Sequence, residues 1–365
     1  MIKFIDFAKI YKKKIPQLKR IFGKFIINGE YIGGRFVKEF EDKIKKIINA
    51  KYVIACKSGT HALQLALIAA GIKNGDEVIT VGNTYYATVY AIKSIGAKPI
   101  FCDILINNGL MDETKIEDKI TNKTKAILPV HLYGIPVNLK KIRNICKKHK
   151  LILIEDCAHA FGSKYCGKYI GSDSDFACFS LYPTKNLGAF GDGGMVITKS
   201  KKNEMRIRRV IYLTNKKRNK FNSRAIHAML DPIQAILTSL ILNDFLKNKK
   251  HRQKIAKIYR KELKNYVRII PDNKICDVNP YVFPIFLNNR NHFINYMKSN
   301  SIELQIHYNI NLHHLNLFGG LPVGSLPITE KHNKEVVSLS VHPSFSMSNA
   351  KIVCNLIKKY VNQKK

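Results

Sequence analysis

The stretch Leu151-Ile152-Leu153-Ile154-Glu155-Asp156 restricts the possible folds of this chain more than any other. Four consecutive large apolar side chains read as a strand buried on both faces, the mark of a central strand in a parallel sheet. Two carboxylates close the run. Ligand sites in open α/β sheets lie at the carboxyl ends of such strands, and neighbouring strand residues point to opposite faces. Only one of Glu155 and Asp156 can therefore aim at a shared site. A second apolar strand, Phe176-Ala177-Cys178-Phe179-Ser180, runs out into a loop that carries Lys185. A buried acid and a loop lysine at the mouth of one sheet are the pair that pyridoxal phosphate chemistry requires. The amine holds the cofactor as a Schiff base, and the acid keeps the pyridine nitrogen protonated. Taken alone, the two residues read more simply as a loop cap and a solvated lysine.

The surrounding chain gives them context. With 365 residues it can bury a large core and divide into two units, expected at 1–245 and 246–365. No apolar run reaches the roughly 18 residues of a membrane span, and the amino terminus lacks the apolar core of a signal peptide. The eight cysteines are scattered singly, without a CxxC pair. That pattern fits reduced thiols in the cytoplasm better than a disulfide frame or a zinc site. The net charge of +36 invites a nucleic-acid reading. The lysines, however, recur as short runs on helical polar faces, with no recognition helix or aromatic platform beside them. A solvated surface is the plainer account, so neither nucleic acid nor membrane is an expected partner.

In chain order, residues 9–50 read as helical, broken at Gly29-Glu30-Tyr31-Ile32-Gly33-Gly34. Tyr52–Cys56 reads as a strand, and Ser58-Gly59-Thr60 turns it into a helix. That junction is either a plain Ser N-cap or an anion site built from free amides and the helix dipole. Strands follow at 75–81, 99–102 and 125–130, with helices opening near Asn83-Thr84-Tyr85-Tyr86-Ala87-Thr88 and at about 138–149. This alternation specifies a parallel sheet with helices on both sides. Asp231-Pro232 starts a helix expected to run unbroken to about Tyr266. A strand at 281–287 and a helix at 292–300 open the smaller unit, and the lysine-rich tail after Tyr360 is expected to fray. His131 and His159 have no carboxylate or cysteine at ligand spacing in a helix or tight turn, so no metal site is expected.

Three stretches resemble the DegT/DnrJ/EryC1/StrS family of sugar aminotransferases. They are Val130-His131-Leu132-Tyr133-Gly134, the run Glu155-Asp156-Cys157-Ala158-His159-Ala160-Phe161-Gly162, and residues 177–194, ACFSLYPTKNLGAFGDGG. The resemblance implies an α/β, aspartate-aminotransferase-like, fold-type-I transferase that uses pyridoxal 5′-phosphate. Its large domain would hold a mostly parallel sheet, and a smaller α/β domain would follow. Lys185 would then be the Schiff-base lysine and Asp156 the partner of the ring nitrogen. Gly59, Thr60 and Ser180 would hold the phosphate, Tyr85 would stack on the ring, and His159 would touch the phenolic oxygen. Tyr182, His307 and Tyr308 would face the substrate.

Two registers compete for the residue that reaches a partner subunit's cofactor phosphate. Asn222-Ser223-Arg224 looks like the family word, yet ungapped counting from both sides selects His227. Three departures stand out: Val81-Gly82 where many relatives have proline, Met229 where they have arginine, and Val282 where they have histidine. Gly82 is expected to loosen its loop. The implied activity is transfer of an amino group from glutamate to a nucleotide-linked keto-sugar in a homodimer with shared sites. The reading favours C3 of a dTDP-linked 6-deoxyhexose over C4, with an amino sugar for lipopolysaccharide O-antigen or another surface polysaccharide as the product's use. Family dehydratases replace the lysine by histidine, and a non-catalytic paralogue would be expected to lack Lys185 or Asp156.

Overall fold

The computed structural model describes residues 1–212, 214–215, 220–221, 224–315 and 324–363. Three amino-terminal helices, α1 (Phe7–Tyr11), α2 (Ile15–Asn28) and α3 (Gly34–Ile48), precede the sheet. Gly29 ends α2 in the left-handed region, at φ 68°, which glycine adopts without penalty. The expected break at 29–34 is therefore a glycine C-cap followed by a new start.

A seven-stranded sheet forms the centre. Its strands are β1 (Tyr52–Cys56), β2 (Glu77–Val81), β3 (Lys98–Cys102), β4 (Thr124–Ile127), β5 (Ile152–Asp156), β8 (Phe176–Ser180) and β9 (Gly194–Thr198), in spatial order β1-β9-β8-β5-β4-β2-β3. Three two-residue strands form a separate small sheet: β6 (Lys164–Tyr165), β7 (Lys168–Tyr169) and β13 (Cys276–Asp277). The apolar run places β5 at the middle, parallel to both β4 and β8. Leu153 and Ile154 are buried there, and such burial contributes about 1.5–3 kcal/mol per side chain. Helices α4 (Gly59–Ala69), α5 (Tyr86–Ser94), α6 (Leu139–Lys148) and α7 (Lys201–Val210) follow the strands. Separate apolar clusters cover the two faces of the sheet.

The sheet departs from the all-parallel alternation at one strand. β9 runs antiparallel to both β8 and β1. The segment carrying Lys185 is therefore the loop of a hairpin, not a crossover, and no helix intervenes between β8 and β9. A two-residue pair, β10 (Thr214–Asn215) with β11 (Lys220–Phe221), follows α7.

The single helix expected from Asp231 to Tyr266 is two: α8 (Pro232–Leu242) and α9 (Phe245–Leu263). Asn243 and Asp244 interrupt it. Both residues favour caps over helix interiors, and the Asp244 carboxylate is held 2.7 Å from Lys14. Beyond α9 lies a three-stranded sheet of β12 (Arg268–Ile269), β14 (Phe283–Phe286) and β15 (Val336–Leu339) in the order β12-β14-β15. Its own apolar cluster packs it with α9, α10 (Arg290–Ser299) and α12 (Met347–Asn362), and α11 (Pro327–Glu335) leads into β15. α12 continues past Tyr360, where fraying was expected, because Tyr360 is buried in that cluster. Among the described residues, no helix is long and apolar enough to cross a membrane.

Candidate active site

The carboxyl ends of β1, β5 and β8 open on a cavity of about 500 Å³. The paired carboxylates at the end of β5 part as the strand pleat requires. Glu155 turns away, fully buried, with its Oε2 3.0 Å from His131 Nε2 and its Oε1 accepting from Ser174. Burial alone pushes its carboxyl up, but these hydrogen bonds and nearby Arg143 hold it below the ordinary range. Asp156 faces the cavity. Its Oδ2 accepts from Thr88 Oγ1 at 2.8 Å and its Oδ1 from the Ala158 amide at 3.0 Å. Burial nevertheless raises its pKa, so a cation brought into the cavity would be stabilised beside it.

Lys185 reaches the same floor from the β8–β9 loop, which is tied down by Lys185 N–H to the Tyr182 carbonyl at 2.8 Å. Its ammonium lies 4.7 Å from the centre of the Tyr281 ring. Burial pushes the amine down to about 8, against the attraction of Asp156. A lysine with that pKa holds a far larger neutral fraction near physiological pH than an ordinary lysine, and that fraction is nucleophilic and basic.

Both readings of the β1–α4 junction hold at once. Ser58 is the N-cap, accepting from the His61 amide at 3.2 Å. The Gly59 and Thr60 amides have no acceptor among the described residues, which leaves two donors at a helix N-terminus facing the cavity. Glycine at 59 has a steric reason, since a Cβ there would stand 2.7 Å from that of Ser180. The helix start and the end of β8 thus close on one corner, where Ser180 Oγ lies 3.2 Å from the Tyr182 amide.

Tyr85 is the N-cap residue of α5, with its ring 44 % exposed on the cavity wall. Its hydroxyl donates to Tyr86 at 2.6 Å, and its ring centre lies 5.8 Å from that of Tyr308. His159 is buried, stacked 4.1 Å from Tyr281, with Nε2 3.1 Å from the Tyr308 hydroxyl. His307 is pushed down to about 4 by burial and by Lys185, and its Nδ1 meets Ser338 Oγ at 2.9 Å. Tyr182 is exposed at the mouth. His227 is exposed and is not among the residues that line this cavity. Asn222, its rival, lies outside the described residues.

Sequence reasoning missed two participants. Thr88 anchors Asp156 across 68 residues of chain, a pairing that no local spacing announces. Tyr281 lines the cavity, whereas Val282, read as the vacant histidine position, is buried outside it. Gly82 is not a loose link, because a Cβ there would come within 2.7 Å of His313 Nδ1. The spacing argument against a metal also overlooked a cluster. His131, Glu155 and Cys157 converge because Val130 bridges to Asp156 across the sheet. The His131 ring in that cluster is engaged on both sides, by Glu155 and by the Val137 amide.

The donor set fits pyridoxal phosphate. A low-pKa amine and a carboxylate lacking a cationic hydrogen-bond partner share the floor, two free amides and a serine form an anion corner, and an aromatic ring stands on the wall. Comparisons with known proteins agree. The model of the DegT/DnrJ/EryC1/StrS aminotransferase family matches residues 16–358. The dTDP-3-amino-3,6-dideoxy-alpha-D-galactopyranose transaminase of Aneurinibacillus thermoaerophilus is 35% identical over 363 residues, covering 99% of each chain. The UDP-2-acetamido-2-deoxy-3-oxo-D-glucuronate aminotransferase of Pseudomonas aeruginosa is 33% identical over 359 residues, covering 97% of this chain and 99% of its own. The crystal structure of S. venezuelae DesV with a ketimine intermediate superposes with a TM-score of 0.95 at 28% identity, covering 99% of this chain and 98% of its own. The chain belongs to the DegT/DnrJ/EryC1/StrS aminotransferase family and is a pyridoxal-phosphate-dependent sugar aminotransferase.

Proposed function

We propose that this enzyme moves an amino group from glutamate to the C3 keto group of a nucleotide-linked sugar, with a dTDP-linked 6-deoxyhexose as first choice. The observation that carries the chemistry is Lys185, with its amine near pKa 8, beside the buried Asp156 carboxylate. Bound there, pyridoxal phosphate supplies an electron sink for the amino donor's α-carbon. Lys185 would hold the cofactor through its amine and would serve as the base for the donor's α-proton. Asp156 stabilises a protonated ring nitrogen. The Gly59 and Thr60 amides and Ser180 bind phosphate, Tyr85 stacks on the ring, and His159 contacts the phenolic oxygen. Tyr182, His307 and Tyr308 orient the sugar. Position C3 is supported by two relatives whose names place the nitrogen or the oxo group there.

The working unit is a homodimer in the cytoplasm, with His227 reaching the phosphate in its partner. Its amino sugar goes into a lipopolysaccharide O-antigen or another surface polysaccharide. The break between α8 and α9 supports a boundary between residues 1–245 and 246–365. The test is an absorbance scan of loaded enzyme, first with glutamate and then with candidate keto-sugars. Glutamate should shift the cofactor band and a 3-keto sugar restore it, with nitrogen on C3 of the product by NMR. Recovery only with 4-keto sugars and nitrogen on C4 would overturn the C3 assignment. An absent response to glutamate would overturn the donor.

A further inference from the structure

Five non-glycine residues have positive φ among the described residues, and four of them, Asn49, Lys150, Cys166 and Ser301, are exposed. The fifth is Tyr133, at φ 60° and ψ 5°, with no exposed surface. A bulky residue in that region is a genuine outlier, and outliers of this kind cluster where surrounding contacts over-determine them. Tyr133 does not line the cavity, yet its polar groups serve residues that do. Its N–H donates to His159 Nδ1 at 3.3 Å, its carbonyl accepts from the Tyr281 amide at 2.9 Å, and its hydroxyl donates to the His307 carbonyl at 2.6 Å.

We propose that Tyr133 is a positioning residue, whose left-handed backbone aims its N–H at His159 and thereby fixes the proton of that imidazole on Nε2. A neutral imidazole has one donor and one acceptor nitrogen. Burial, with Lys185 and His307 nearby, keeps His159 neutral. With Nδ1 accepting from Tyr133, Nε2 is the donor, and it points at the Tyr308 hydroxyl 3.1 Å away. In the cofactor-free chain Tyr308 then accepts, and the same Nε2–H is the donor that the phenolic oxygen of a bound cofactor would take up. The direction of the hydrogen bonds along this wall follows from one backbone amide. An ordinary right-handed conformation at Tyr133 would turn that amide elsewhere and release both tautomers.

The test uses the full-length, cofactor-free chain labelled with ¹⁵N-histidine, with His159→Gln identifying the signal. The unaltered chain should show His159 as the Nε2–H tautomer alone. Replacing the Tyr133 amide by an ester, through its α-hydroxy acid, deletes the N–H, weakens the Leu132 carbonyl that accepts from the Ile135 amide, and should give a mixture of tautomers. Tyr133→Phe keeps the N–H and should leave the tautomer unchanged. Nδ1–H in the unaltered chain, a pure Nε2–H signal in the ester, or a shifted tautomer in Tyr133→Phe would each overturn the assignment. If the ester chain does not fold, the other two measurements still decide it. A second readout rests on the contact proposed above between His159 and the cofactor. The ester should raise the pyridoxal phosphate dissociation constant about tenfold, the scale of one hydrogen bond. A changed tautomer with unchanged affinity would support the role of Tyr133 and sink that cofactor contact.

Discussion

Lys185 and Asp156 pull each other's protonation in opposite directions, and this can be measured. Only the neutral amine captures the cofactor, so the capture rate should rise with pH through about 8, where burial has placed Lys185. Asp156 favours the charged amine, so Asp156→Asn should move that midpoint lower. An upward or absent shift would mean that the two groups do not communicate. The same substitution removes the charge that holds the ring proton. Uncompensating a buried charge pair costs about 3–5 kcal/mol. The half-reaction with glutamate should therefore slow by roughly two to three and a half orders of magnitude. A loss below tenfold would exclude Asp156 as the ring-nitrogen partner.

Elements turn these residues into a site, and here the sequence was legible in part. The run at 151–156 announced β5, and the pleat predicted that Glu155 and Asp156 would diverge, as they do. Chain order also placed the helices around the sheet. What stayed hidden depended on contacts between distant segments. Gly194–Thr198 is as apolar as any parallel strand, and nothing in its composition tells it to return antiparallel beside β8. Tyr281 and Val282 differ in which side faces the cavity, a register fixed only by the packing of β14. At Asn243-Asp244 an apolar stripe carried the reading across two poor helix formers. The α4 junction offers a direct check. Alanine favours a helix over glycine, yet Gly59→Ala would force Cβ to 2.7 Å from Ser180 Cβ. Overpacking of this kind costs about 1–3 kcal/mol. Gly59→Ala should therefore lower the melting temperature of the cofactor-free enzyme and weaken cofactor retention. A more stable variant with intact retention would show that the corner is looser than it looks.

At the scale of the whole molecule, His227 faces outward from the single chain. If it reaches a partner's phosphate, His227→Ala should weaken cofactor retention roughly ten- to a hundredfold, the range for a hydrogen bond to a charged group. Asn222→Ala should not. At cofactor concentrations too low to fill the His227→Ala sites, mixing Lys185→Ala and His227→Ala chains should restore activity, because each hybrid dimer contains one site with both residues intact. No recovery in verified hybrids would place the shared contact elsewhere. The β8–β9 hairpin bears on how such an enzyme turns over. Asp156 ends β5, Lys185 sits in the loop that leaves its ladder neighbour β8, and that loop is stitched at both stems by Leu181 to Gly193 and Ala189 to Leu181. His307 and Tyr308 hang instead from the carboxyl-terminal layers. The cavity thus has a floor cast in one piece and a roof built separately. If His307 and Tyr308 shift with their layer as a sugar leaves, the amine and the acid stay in register, because the ladder and loop bonds that hold them lie outside that layer.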